Sequence, residues 1–222
     1  MKIHIVAATE GEIKPLIQVC EDEWTRTATG AYVRGPLTVE FLITGVGMVR
    51  TSYALGRFLA NHKPDLCINA GIAGAFPGRF GIGDVVHVVR DCMPELGATD
   101  ADGSHLKMSN MKLAEDISSI DGLVNKEAGA FDFLPRATGI TVHTVHGDEA
   151  GITKLQKQFS PDIETMESAA FFYSCMKEEV PFLAIRAISN MVEPRDRSKW
   201  NIPLAIERLN MQLVELLGVL GA

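Results

Sequence analysis

The chain carries few groups that could do chemistry, and the most telling are Ser189-Asn190 at the end of an apolar run. Residues Pro181 to Ile188 read as a buried strand. After Asn190 comes a charged segment, Glu193-Pro194-Arg195-Asp196-Arg197-Ser198-Lys199-Trp200. Polar groups at the end of a buried strand sit where α/β sheets place their ligands. An amide there can donate and accept in one plane, whereas an ionised carboxylate only accepts. The second group is Glu167, within Thr165-Met166-Glu167-Ser168-Ala169-Ala170. A carboxylate on an otherwise apolar helix start is either a solvated first-turn residue or a buried acceptor. If buried, it needs donors, and a pair of sugar hydroxyls would serve.

Five strand ends carry glycine or small polar residues: Thr9–Glu12, Thr44–Gly47, Asn69–Gly74, His146–Glu149 and Ser189–Asn190. Any one of them is explained by a tight turn, but five on one sheet edge point to a ligand site. The Gly71-x-x-Gly74 segment lacks the spacing of a dinucleotide fingerprint, and no Walker A lysine is present, so no nucleotide cofactor is expected. The six histidines are scattered. His143 and His146 stand three apart on what reads as a strand, which suits joint metal ligation poorly, so no metal is expected.

These ends need strands and helices to bring them together. The pattern predicts a strand over residues 2–8 and a helix from Glu10 to about Cys20, with carboxylates in its first turn. A hairpin follows over 31–43 around Gly35-Pro36, then a helix over 48–62. Asp65 to Ala70 and Gly83 to Val89 read as strands, with Gly71–Gly74 as the turn after the first. Residues 91–110 are loop-rich, with a helix from Ser109 onward. Gly139 to His146 is a β-branched strand, Ile163 to Glu178 a helix, and a C-terminal helix starts at Pro203. Alternating β and α units argue a single-domain, three-layer α/β/α sandwich over residues 1–222.

Length and composition agree. The 222 residues suffice for one α/β core, and a net charge of −7 without a basic stripe excludes a nucleic-acid binder. No apolar run approaches membrane-spanning length. Cys67 and Cys175 lie in apolar runs and neither pairs with Cys20 or Cys92 in a CxxC spacing, which favours reduced thiols and a cytoplasmic protein.

Taken in order, several segments resemble the nucleoside phosphorylase/hydrolase family, in its nucleosidase branch. They are Ala7-Ala8-Thr9-Glu10-Gly11-Glu12, Thr44-Gly45-Val46-Gly47, Asn69-Ala70-Gly71-Ile72-Ala73-Gly74, Gly81-Ile82-Gly83-Asp84-Val85, Gly147-Asp148, Thr165-Met166-Glu167 and Arg186-Ala187-Ile188-Ser189. The resemblance implies a mixed, partly barrel-like sheet and cleavage of the N-glycosidic bond of a purine nucleoside. It also implies roles. Glu12 would orient and activate water, Met166 and Glu167 would hold the ribose, and Gly71, Ile72, Ala73 and Gly74 would shape the water and ribose side. Members of the family are commonly homodimers or higher assemblies, and the same is expected here. An oxocarbenium-like transition state needs such a carboxylate and water, and the departing base needs hydrogen bonds for its developing charge.

One departure matters most. Adenosine-type members have Asp where this chain has Asn190. A 6-oxopurine presents acceptors at both O6 and N7, which an amide satisfies and a carboxylate does not. The mismatch costs on the order of 1–3 kcal/mol, so the expected base is hypoxanthine-like. The pattern Ser189-Asn190…Arg195-Asp196-Arg197…Trp200 resembles members whose nucleoside ends in an aromatic, anionic arm. Arg195 or Arg197, with Trp200, would close that end, although an Arg–Asp surface pair explains one arginine equally well. Asn190 cannot be a general acid, and His146, Asp148 and Glu149 are the nearby proton sources by strand position. Thr165 stands where relatives have glutamate. Phosphorolysis is disfavoured because Thr9-Glu10-Gly11-Glu12 places carboxylates where phosphate would bind. An adenosine-type nucleosidase and a non-catalytic nucleoside-binding protein are the competing readings.

Overall fold

The computed structural model describes residues 1–111, 122–126, 128 and 133–222. Its sheet is built around β1 (Lys2–Ala7), whose residues after Lys2 are all buried, so both of its faces need cover. β1 pairs in parallel with β4 (Leu37–Ile43) on one side and with β5 (Leu66–Ala75) on the other. From β4 the sheet continues antiparallel into β3 (Tyr32–Arg34) and β2 (Thr25–Arg26), with the Gly35-Pro36 turn where the sequence predicts it.

On the other flank β5 pairs with β12 (Phe182–Met191), followed by β6 (Val85–Asp91), β10 (Arg136–Thr141) and β11 (Ile163–Thr165). β11 then returns to β5, Glu164 opposite Gly74, so that five strands close into a ring. This is the mixed, partly barrel-like sheet that was expected. Short β9 (Leu123–Val124) adds to β6, and β7 (Gly97–Thr99) with β8 (His105–Lys107) forms a separate hairpin.

Helices cover both faces. α1 (Glu10–Glu23) and α5 (Ile202–Leu220) bury Leu16, Leu209 and Leu213 against Ile3, Ile5 and Ile185. α2 (Met48–Leu59) and α4 (Ser168–Lys177) bury Leu55, Phe171 and Phe172 against Val6, Val86 and Ala184 on the opposite face. α3 (Glu149–Phe159) packs Ile152 and Leu155 on Ile140, Val142 and Val192. Among the described residues no helix is long and apolar enough to cross a membrane.

Five features differ from expectation, and ring closure explains two. Gly71–Gly74 is strand, because β5 runs on to Ala75 with β12 along one edge and β11 at its end. Ile163–Thr165 is a strand rather than the first turn of a helix, since its β-branched residues pair with Gly139–Thr141 and then close the ring. The strand expected to reach His146 stops at Thr141, and residues 142–147 form the loop that carries His146. α3 was not anticipated, although Asp148 caps it by accepting from Gly151 N at 2.8 Å and its apolar residues recur at helical spacing. Where a helix is expected from Ser109 onward, Met108–Met111 is a single 3-10 turn, and the rest of that expectation falls outside the described residues.

Candidate active site

A cavity of 470 Å³ opens where the ends of β1, β5, β11 and β12 meet. Its first wall is Glu12, on the opening turn of α1. Oε2 of Glu12 reaches back to accept from both the main-chain N–H and the hydroxyl of Thr9, each at 2.9 Å. Oε1 accepts from Ile72 N at 3.2 Å. Three donors from two elements therefore hold one carboxylate in a fixed direction. Gly71 makes this possible, because a side chain there would place its Cβ 2.9 Å from Glu12 Oε1.

Glu167 stands at the N-cap of α4, and its Oε1 accepts from Gly47 N at 2.8 Å. Burial raises its carboxyl above the ordinary value, an effect opposed by the Gly47 bond and by the positive charge of Arg186 and reinforced by Glu12. Arg186 is fully buried in the middle of β12. It donates to Asn69 O and Ile185 O at 2.9 Å, to Ser168 Oγ at 3.0 Å and to the Asn69 side chain. A buried cation survives only with such compensation. Burial lowers its pKa, while Glu167, Glu12 and Asp91 favour the charged form. A hydroxyl chain, Asp91–Thr141–Thr165–Ser168, extends from this guanidinium into the core. Thr165 thus turns its hydroxyl toward Ser168 and Thr141 within the cavity wall. Arg186 is the functional residue that the sequence reading passed over. Its signal was an arginine inside the otherwise apolar run Phe182–Ile188.

The opposite end is built differently. A bulge between Ile188 and Asn190 interrupts the register of β12 against β5 and re-aims the side chains there. The Ser189 hydroxyl shares its one hydrogen between Asn190 Oδ1 at 2.8 Å and Ala73 O at 3.2 Å, which holds the amide oxygen on this side with its nitrogen outward. Nδ2 gives one hydrogen to Met191 O at 3.1 Å and keeps a second for a ligand. Across from it, His146 Nδ1 lies 2.6 Å from Glu164 Oε2, and His146 N donates to Glu164 Oε1 at 3.0 Å. Beyond Asn190 a loop folds back. Asn201 N donates to Ser189 O at 2.8 Å, and the guanidinium carbons of Arg195 and Arg197 lie 5.1 and 5.7 Å from the Trp200 ring centre.

The cavity therefore brings together Glu12, Ile72, Ala73, Gly74, Met166, Glu167, Ser189, Asn190, Arg195 and Trp200. Gly71 sits behind Glu12. Arg197 rests on Trp200 outside the lining, and Asp196 does not pair with either arginine but caps the turn by accepting from Ser198. Asp148 spends its side chain on the α3 cap and Glu149 is exposed in that helix's first turn, so neither lines the cavity. His146 and Glu164 do line it.

This ring-closed sheet, with paired carboxylates at one end of its cavity and an amide at the other, belongs to a known class. Residues 2–218 match the phosphorylase superfamily, and the chain belongs to that family. Within it, the chain is 30% identical to futalosine hydrolase of Acidothermus cellulolyticus, covering 94% of this chain and 87% of that protein. It is 29% identical to 5'-methylthioadenosine/S-adenosylhomocysteine nucleosidase of Maridesulfovibrio salexigens, covering 86% and 87%. The fold is also that of futalosine hydrolase from Helicobacter pylori, with a TM-score of 0.75 at 13% identity over 97% of this chain and 98% of that one.

Proposed function

We propose that the chain is a purine nucleosidase that hydrolyses the N-glycosidic bond of futalosine, releasing hypoxanthine and dehypoxanthine futalosine in the futalosine route to menaquinone. Support for hydrolysis comes from Glu12. Its carboxylate, aimed by three donors, is placed to orient a water and take its proton as the water attacks C1′. Glu167 accepts from the ribose hydroxyls, and the positive charge of Arg186 behind both carboxylates offsets part of their mutual repulsion.

Asn190 is the observation that carries the choice of base. Its amide is locked by Ser189 so that a donor is offered to the ligand, which matches the O6/N7 edge of a 6-oxopurine. Arg195 and Trp200 supply a cation and an aromatic face for the far, carboxylate-bearing end of futalosine. We also infer that the protein is cytoplasmic, single-domain and homo-oligomeric. Val49 and Tyr53, 75% and 68% exposed on α2, offer an apolar face for a second copy.

A panel of futalosine, aminofutalosine, inosine and methylthioadenosine, each with and without phosphate, tests this reading. Futalosine is expected to turn over fastest, without phosphate dependence, and to release free hypoxanthine. The similarity to methylthioadenosine nucleosidase keeps a second outcome in view. Preference for methylthioadenosine or aminofutalosine would overturn the argument from the amide.

A further inference from the structure

An amide can stabilise a departing purine but has no labile proton to give it. The proton must come from elsewhere, and the ionisable side chains lining the cavity among the described residues are few: Glu12, Glu164, Glu167, His146 and Arg195. Glu12 and Glu167 serve the water and the ribose. Arginine keeps its proton across the working pH range. His146 and Glu164 remain.

Their place relative to Asn190 is set by strand register. Asn190 on β12 pairs with Gly74 from one side, and Glu164 on β11 pairs with the same Gly74 from the other. Paired residues on neighbouring strands project from the same face of a sheet, so Glu164 and Asn190 rise on either side of a glycine. Their backbones stand about 10 Å apart, twice the spacing of adjacent strands, enough for a purine ring with a hydrogen bond at each edge. The absent side chain keeps that space open. A Cβ on residue 74 would lie 3.1 Å from Asn190 Nδ2 and 2.9 Å from Val192.

Both oxygens of Glu164 are engaged by His146, one through the ring and one through the main chain. Two contacts between the same pair fix the imidazole as a unit with the carboxylate, with Nδ1 turned to Glu164 and Nε2 left for a ligand. The Glu164 side chain is 3% exposed and the His146 side chain 20%, so the imidazole is the member that meets the open volume.

We propose that His146, oriented by Glu164, is the general acid that protonates the leaving base. The inference rests on the nucleosidase reading above. As the C1′–N9 bond breaks, its electron pair passes into the purine ring, and the Nε2 proton moves to an acceptor nitrogen of that ring. The attacking water gives a proton to Glu12. Solvent then reprotonates the imidazole while Glu12 releases its proton, so one water is consumed and no net proton. A carboxylate behind the imidazole stabilises the protonated ring, as in other histidine–carboxylate pairs. Burial raises the Glu164 carboxyl above its ordinary value, with the His146 bonds acting in the opposite direction. The other charges around the pair are Glu95, which accepts from His143 N at 3.1 Å, Asp148 and Glu149 at the start of α3, and Arg195, whose N donates to Gly147 O.

The test compares wild type, His146→Gln and Glu164→Gln on futalosine and on 7-methylinosine, whose cationic base departs without needing a proton. With His146→Gln, kcat for futalosine is expected to fall roughly 100-fold with KM within a few-fold, while kcat for 7-methylinosine stays nearly unchanged. Wild-type kcat on futalosine should decline on the alkaline side as the imidazole loses its proton. That limb should vanish in His146→Gln and move to lower pH in Glu164→Gln. Equal losses on both substrates, or an alkaline limb intact in His146→Gln, would overturn the proposal. If wild type releases no hypoxanthine from futalosine, the functional reading fails instead. The same variants and pH profiles are then run on methylthioadenosine, with the same criteria for the pair.

Discussion

The two ends of the cavity are held by different means. At the end proposed for water and ribose, Glu12 and Glu167 are fixed largely by main-chain N–H groups, those of Thr9, Ile72 and Gly47, with the buried Arg186 behind them. At the end proposed for the base, side chains hold side chains. Ser189 sets Asn190, Glu164 sets His146, and Arg195 lies over Trp200. Donors belonging to the backbone change only if the fold changes, whereas a side-chain pair is altered by one substitution. A reaction can stay constant on such a scaffold while the base it accepts is exchanged.

The largest expected effect lies at the main-chain end. Glu12→Gln should lower kcat by about 1000-fold with the fold intact by circular dichroism, and a loss below tenfold would show that this end is not the catalytic one. Next comes Asn190→Asp, which reverses the donor at the base end. Relative kcat/KM for futalosine over aminofutalosine should drop roughly 10- to 100-fold, and an unchanged ratio would remove the contrast between the two ends. Arg195→Ala should raise KM several-fold for futalosine and hardly at all for inosine, while Arg197→Ala, outside the lining, should spare both substrates. Equal effects of the two arginines would mean that the loop acts only as a whole. The smallest change is Thr9→Ala, which removes the one side-chain donor to Glu12. It should cost about 1 kcal/mol, a fall in Tm of about 2–4 °C, with a modest decrease in kcat.

Sequence reasoning reached the groups that stand at strand ends and failed where ring closure decides. Ser189-Asn190 and Glu167 were legible because each is a polar break in an apolar run. Arg186 has the same signature, yet it is read only as part of a motif, since nothing in the sequence shows which groups would compensate an arginine inside a buried strand. The His146–Glu164 pair was out of reach. The run through Glu164 reads as helix, and only the pairing of β11 with β5 turns that residue toward the cavity. A strand running to His146 would bring Asp148 and Glu149 close, but the strand ends at Thr141, and the loop over residues 142–147 carries His146 inward while leaving them outside.

The ring through β5 has a consequence for how the protein is made. During synthesis β5 emerges early, with β1 ready on part of one edge, but its remaining partners, β11 and β12, lie in the last third of the chain. Pairings so distant in sequence form slowly, and an unpaired edge invites association with other chains in the interval. A nascent chain can therefore carry Glu12 while still lacking the Ser189–Asn190 wall of its cavity until β12 has left the ribosome.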